Sequence, residues 1–213
     1  MKHGLAFSLI LLLAVAGPAT ANEVADAAMN RDLEAVRSLL DQKATETGLA
    51  IEHLRDFLDY VNAPQIDGTT ALHWAVNHDD LETADLLISA GANASAGNRT
   101  GVTPMRLAAI NGSMAMIEKL LDAGADPNAP LTEHGDTALM MAARTGSADA
   151  IQMLLDRGAE IDAVETWGGT SALMWAISEH HAGAASMLIE AGADLSVRSK
   201  IVSVANRRGA EGT

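Results

Sequence analysis

Cysteine is absent from all 213 residues. No disulfide can therefore staple the fold, no thiol can carry a lipid anchor, and neither thiolate metal sites nor thiol catalysis is open to the chain. Basic residues are scarce, 14 against 28 acidic ones, for a formal charge of −14. That balance opposes attraction to phosphate backbones and anionic membrane surfaces. It favours solubility and a protein partner with a basic surface. Beyond residue 16 no segment approaches the ~18 uninterrupted apolar residues of a membrane span. Also missing are the Gly-x-Ser-x-Gly elbow, the P-loop and the dinucleotide fingerprint. The chain is accordingly expected to have no catalytic activity of its own and no cofactor.

The one long apolar run lies at the start. Lys2 and His3 precede Leu5 to Ala16, then come Gly17-Pro18 and Ala19-Thr20-Ala21, the layout of a secretory signal with a small-x-small cleavage site. Residues 1–21 are set apart from the fold on that ground, and the expected location is periplasmic or secreted. Removing them takes away Lys2 and no acid, which leaves 13 basic and 28 acidic residues and a formal charge of −15. The exported chain is expected to be a monomer that neither inserts into membranes nor binds nucleic acid.

What the chain has in place of these features is a period. A hydroxyl residue falls at Thr70, Thr103, Thr137 and Ser171, in steps of 33, 34 and 34, and Gly91, Gly124, Gly158 and Gly192 keep the same steps. Two independent marks in one period identify a repeat array. In each unit the hydroxyl residue can cap a short helix, a second apolar helix follows, and the glycine supplies the left-handed residue that stops it. Such helices are too short to stand alone, so each must be stabilised by stacking on the next. The array spans 22–198: a capping repeat over 22–44, a helical insertion over 45–60, and repeats at 61–93, 94–127, 128–161 and 162–198. An irregular tail covers 199–213, and its ending Glu211-Gly212-Thr213 is how a further repeat would begin, as in a fragment of a longer array.

The capping repeat places Val36, Leu39 and Leu40 at helical spacing after Asn30-Arg31-Asp32, but Lys43 stands where the other units have glycine, so its exit should differ. In the insertion, Leu54, Phe57, Leu58 and Val61 form the stripe of an amphipathic helix. Either that helix folds back over the first repeat or it is an element made for one partner.

The unit resembles the ankyrin repeat, a β-turn and two antiparallel helices marked by Gly-x-Thr-Pro-Leu-His-x-Ala-Ala and Gly-Ala-Asp. The opening appears as Gly68-Thr69-Thr70-Ala71-Leu72-His73-Trp74-Ala75, at Gly101 to Ala109, Gly135 to Ala143 and Gly169 to Ala176. The close appears as Gly124-Ala125-Asp126 and Gly192-Ala193-Asp194, with variants at Gly91 and Gly158. The resemblance implies an all-α ankyrin-repeat solenoid of stacked helix-turn-helix units joined by β-turn loops, serving protein–protein interaction. The alternative is a regulatory or inhibitory accessory array of a longer protein or of a periplasmic enzyme. The family histidine survives at His73 alone, being replaced by Arg106, Met140 and Met174, so the ties it makes between turns are expected to be lost at those three. Asp79 and His180 replace the glycine between the two helices.

No chemistry gathers in one place. The histidines lack ligand spacing, and His180-His181 are sequence neighbours that do not share a helical face, so no metal site is expected. The carboxylates recur with the repeat. Trp74, Leu107, Met141 and Trp175 fall at one helix position and read as inter-repeat core.

Arrays of the family bind through turn tips and inner faces of first helices, and the residues that change there from unit to unit form the expected partner-binding set. They are Asn77, His78, Asn111, Arg144, Thr145 and Glu179 at first-helix ends, with Arg99, Glu133 and Trp167 in the turn tips. Trp167 stands out because its aligned residues are read as small or polar. It is either a hot spot worth ~2 kcal/mol or more when a partner buries it, or a ring folded over the neighbouring turn.

Overall fold

The computed structural model describes residues 22–47 and 54–200. The signal at 1–21, the centre of the insertion and the tail from 201, with its Glu211-Gly212-Thr213 ending, lie outside the described residues. Among the described residues there are eleven α-helices and no strand, only an isolated bridge between Val164 and Ser171. The helices are α1 (Glu23–Met29), α2 (Leu33–Thr47), α3 (Leu54–Val61), α4 (Ala71–Asn77), α5 (Leu81–Ser89) and α6 (Pro104–Asn111). They continue as α7 (Met114–Asp122), α8 (Ala138–Thr145), α9 (Ala148–Asp156), α10 (Ala172–Ser178) and α11 (Ala182–Glu190).

Seven- to nine-residue helices such as α4 to α11 would fray in isolation. Stacking stabilises them. The first helices α1, α4, α6, α8 and α10 pack side by side in one layer, the second helices α2, α5, α7, α9 and α11 in another, and each second helix lies on its own first helix. The same positions fill the core in every unit: Leu72, Met105, Leu139 and Leu173 from the first helices, and Leu87, Leu120, Leu154 and Leu188 from the second. Burying each such side chain stabilises the array by roughly 1.5–3 kcal/mol.

Local chemistry sets the helix ends. Thr103, Thr137 and Ser171 accept the amides of Arg106, Met140 and Met174 through their hydroxyls. Between the helices of a pair the chain turns through the left-handed region, at Gly112 and Gly146 but also at Arg31, Asp79 and His180, whose φ values are 59°, 54° and 62°. A side chain at such a φ costs roughly 1–2 kcal/mol, so glycine's absence at Asp79 and His180 leaves the turn intact but strained.

At the capping repeat the helix runs straight through Lys43 to Thr47, since no glycine stops it. Helix α3 then packs against α2. Its buried face is Phe57, Tyr60 and Val61, while Leu54 is exposed, so the stripe expected from the sequence is turned toward Tyr60. Burial, with Glu23 and Glu46 nearby, pushes the Tyr60 phenol up to about 12. Leu58 lies over Gly91, where a Cβ would stand 2.4 Å from its Cδ2. Asn62 donates to the Gly91 carbonyl (3.0 Å) and accepts the Asn93 amide (2.6 Å). The described part of the insertion is thus seated on the first two helix pairs.

Val76, Ala109 and Ala143 are buried by the pair that follows. The equivalent Ile177 is 58% exposed.

Candidate partner-binding surface

Four hairpin turns precede the first helices α4, α6, α8 and α10. Each is closed by one backbone hydrogen bond, Gln65 to Thr69, Asn98 to Val102, Leu131 to Asp136 and Glu165 to Thr170. The last two turns hold one residue more, which is the origin of the 34-residue steps. Aligned on the left-handed glycines Gly68, Gly101, Gly135 and Gly169, the tips are Ile66, Arg99, Glu133 and Trp167. Ile66 is 83% exposed and Trp167 65%. The sequence reading that the residues aligned with Trp167 are all small or polar is therefore corrected: an apolar side chain stands at each end of the tip row, and the unequal turn lengths had hidden it.

The Trp167 turn is held from beneath by a residue that sequence reasoning passed over. Glu165 is buried, and its carboxylate accepts the amides of Trp167 (2.7 Å), Gly168 (2.8 and 2.9 Å) and Thr170 (2.8 Å). Burial alone would raise its pKa; the hydrogen bonds from Gly168, Thr170 and Trp167 outweigh it and hold the carboxyl below the usual range. Thr166 is also tied to the preceding turn through its amide (2.7 Å) and hydroxyl (3.0 Å), both donating to the His134 carbonyl. An exposed indole on a pinned backbone loses little conformational freedom on binding.

The other expected residues divide. Arg99, Glu133, Arg144, Glu179 and Asn77 are exposed. Glu133 lies 3.6 Å from His134. Asn111 is committed within the fold, donating to the carbonyls of Val76 (2.9 Å) and Asn77 (3.3 Å). His78 lies with Nε2 3.0 Å from the Met29 carbonyl and stacks on Trp74 at 6.0 Å. The Thr145 hydroxyl donates back into its own helix, to Met141 and Ala142. Asn111 and His78 thus tie neighbouring helix pairs together, and Thr145 is engaged within α8.

Trp74, Leu107, Met141 and Trp175 are only half-buried, with one side on the core and one toward the surface. They are the floor of the first-helix layer, where core alone had been expected. Trp74 donates to Gln65 Oε1 (2.9 Å), and the Arg144 guanidinium sits 5.5 Å from the Trp175 ring.

Charge is unevenly shared between the layers. Helices α4, α6, α8 and α10 contain no carboxylate and carry Arg106 and Arg144. The second helices α5, α7, α9 and α11 hold acids in every unit, including Glu82, Asp85, Glu118, Asp122 and Glu190. The cations among those acids are paired: Lys119 with Asp85 and Arg157 with Asp122, each at 2.6 Å. Among the described residues no group of three or more His, Asp or Glu side chains is placed to hold a metal ion. No described helix is long and apolar enough to cross a membrane.

A stack of helix pairs with a row of projecting turns and varied tips defines a class, the helical-repeat binding scaffold. A family model for ankyrin repeats (three copies) matches residues 24–131 and again 129–199. The chain belongs to the ankyrin repeat family, and its repeats form a protein–protein interaction module. It is similar to ankyrin repeat protein FPV031 of Fowlpox virus, 44% identical over 71 residues, a third of this chain and 21% of that protein. It is also similar to the human ankyrin repeat and MYND domain-containing protein 1, 37% identical over 75 residues, again 33% of this chain but 8% of the relative. The matches thus span about a fifth or less of those relatives' length.

Proposed function

We propose that the chain is an exported interaction module, periplasmic or secreted, that works as a monomer and binds a folded protein partner through the turn tips and first-helix layer without catalysing a reaction itself. The observation that carries this reading is Trp167, 65% exposed on a turn whose backbone Glu165 pins at three amides. A tryptophan presented in that way is suited to anchor an interface. The acids of the second helices and the exposed Glu133 and Glu179 favour approach by a protein with a basic surface, faster at low salt than at high. The apolar run from Leu5 to Ala16, with Lys2 before it and Ala19-Thr20-Ala21 after, supports export.

The second reading keeps the binding and changes its purpose: the array regulates or inhibits an enzyme, within a longer protein or as a separate chain. The human relative is named for ankyrin repeats together with a MYND domain, which is the kind of arrangement this reading needs.

Crosslinking in the exporting cell, followed by purification of the chain, tests the first reading. One stoichiometric protein should copurify with wild type and be lost with Trp167→Ala combined with Arg144→Ala. Equal recovery with the double variant would remove this face from consideration. A copurifying enzyme whose rate changes on binding would favour the regulatory reading.

A further inference from the structure

The junction between the pairs α6–α7 and α8–α9 is unlike its neighbours. Turn-to-turn backbone hydrogen bonds join Arg99 to Asp67, Thr166 to His134 and Lys200 to Gly168, but among the described residues none joins the turn at 98–103 to that at 131–137. Asn62 and Asn128 clamp the loops that open their own unit and the next. At the equivalent Ser95 no such clamp is made among the described residues, and Arg106 occupies the position of His73.

Where the preceding junction has a cavity of about 250 Å³ with His73 and no arginine in its lining, one of about 180 Å³ opens at the equivalent positions of this junction, lined by Arg106, Ile110, Leu131, Thr132, Asp136, Met141 and Arg144. Its chemistry differs from that of the whole chain. Two arginines and one carboxylate, Asp136, line it, and Asp136 already accepts the Thr132 hydroxyl. Among the described residues no carboxylate lies within ion-pair distance of Arg106 or Arg144, whereas Lys119 and Arg157 on the outer helices hold theirs. The Arg144 guanidinium carbon lies over the Trp175 ring, 5.5 Å from its centroid, a cation–π contact that takes up none of the N–H donors an acceptor would use. Ile110, 61% exposed, and the half-buried Met141 give the groove an apolar wall.

We propose that this groove between α6 and α8 receives an acidic side chain of the protein partner, an aspartate or glutamate set beside an apolar residue. The carboxylate bridges Arg106 and Arg144, and the apolar neighbour lies against Ile110 and Met141. A carboxylate suits the planar fork of arginine, and the bridge would span the junction where the fold supplies fewest polar ties. The proposal rests on the first-helix layer being the binding face. It refines the partner from a protein merely basic overall to one that places an acid at this point.

The test uses the full chain as bait for a random peptide library displayed on phage, with enriched peptides then synthesised and titrated by fluorescence anisotropy. Peptides carrying Asp or Glu next to an aliphatic or aromatic residue should dominate. They should bind Arg106→Gln combined with Arg144→Gln about 30-fold more weakly, the lower end of the loss on truncating a hydrogen-bonded interfacial charge. Both arginines replaced by lysine should restore only part of the affinity. Unchanged thermal melting of the variants shows that the fold is not the cause. Enrichment of basic or uncharged peptides, no enrichment, or acidic peptides indifferent to the arginines would overturn the proposal. Peptides that lose affinity with Trp167→Ala yet ignore both arginines would sink the acidic groove while leaving the binding face standing.

Discussion

The junction of α4–α5 with α6–α7 and the next one, α6–α7 with α8–α9, join helix pairs of the same design by different means. At the first, His73 is 1% exposed and sits between two turns. Its Nδ1 accepts the Thr70 amide (3.2 Å) and meets the Thr70 hydroxyl (2.8 Å), which places the ring proton on Nε2, donated to the Val102 carbonyl (3.0 Å). The Arg99 to Asp67 backbone bond and the Asn62 clamp reinforce it. At the second junction an arginine replaces the imidazole and points into an open groove, and the polar ties that remain are a weak Ser147 to Met114 contact and the outer ion pairs of Arg157. A groove opens at both junctions, about 250 Å³ at the first and 180 Å³ at the second; what separates them is the residue at the shared position, an imidazole that ties two turns or an arginine with no carboxylate partner among the described residues.

The largest effect should come from His73→Ala. It leaves the Thr70 and Val102 groups without their partner and a void beneath them, and is expected to cost about 2–4 kcal/mol in urea unfolding. Arg106→Ala, at the equivalent position, should cost well under half as much. Equal losses would dissolve the distinction between the two junctions.

His73 should also make stability depend on pH. Burial pushes the imidazole below its ordinary 6.5, against the opposing pull of the Val102 carbonyl and the Asp67 charge. The native state therefore takes up a proton less readily than the unfolded chain. Its contribution is complete above pH 6.5 and is lost as pH falls from there toward the folded value, with a slope of up to ~1.4 kcal/mol per unit. Unfolding midpoints measured from pH 7.5 down to 5 should show the decline in wild type and a flatter curve in His73→Gln. Parallel curves would assign the decline to other groups.

The sequence revealed whatever recurs. Threonine caps, stop glycines and buried leucines repeat at one spacing, and repetition is itself the signal of stacking, so the all-α array was legible without coordinates. It was also legible that Lys43 would alter the exit of α2, because one residue decides whether that helix can stop. Features that depend on two turns lying side by side were not. Glu165 looked like one more acid, since nothing local reveals three amides converging on it. Ile66 escaped notice because turns of unequal length shift the alignment by one residue. The net charge of −14 likewise averaged the acid-free helices α4, α6, α8 and α10 with an acidic outer layer, and concealed the arginine pair.

Adding a tie where the second junction lacks one should help modestly. Ser95→Asn places an amide where Asn62 and Asn128 bridge a glycine carbonyl and a following backbone N–H, here Gly124 and Asp126. One such pair of hydrogen bonds is expected to add roughly 0.5–1.5 kcal/mol, seen as a rise in the urea midpoint. No rise would mean that the loop at 93–96 is held too far from Gly124 for an asparagine to span, and that the junction lacks this tie for a geometric reason and not for want of a side chain.

The smallest effect is expected at the outer edge of the same junction. Arg157 bonds Asp122 at 2.6 Å and reaches Glu118 at 3.9 Å, but the pair is largely solvated, with side-chain exposures of 34% and 64% for Arg157 and Asp122. Exposed ion pairs contribute roughly 0.2–1 kcal/mol at most and are screened by salt. Arg157→Ala should therefore lower stability by less than about 1 kcal/mol in dilute buffer, and the difference from wild type should vanish near ~1 M salt, where the screening length is only ~3 Å. The loss at His73→Ala should persist there, because a buried neutral imidazole has no net charge to screen. A salt-insensitive loss at Arg157 would show that its aliphatic stem, packed across the two second helices, holds this junction together and that the electrostatic contact does not.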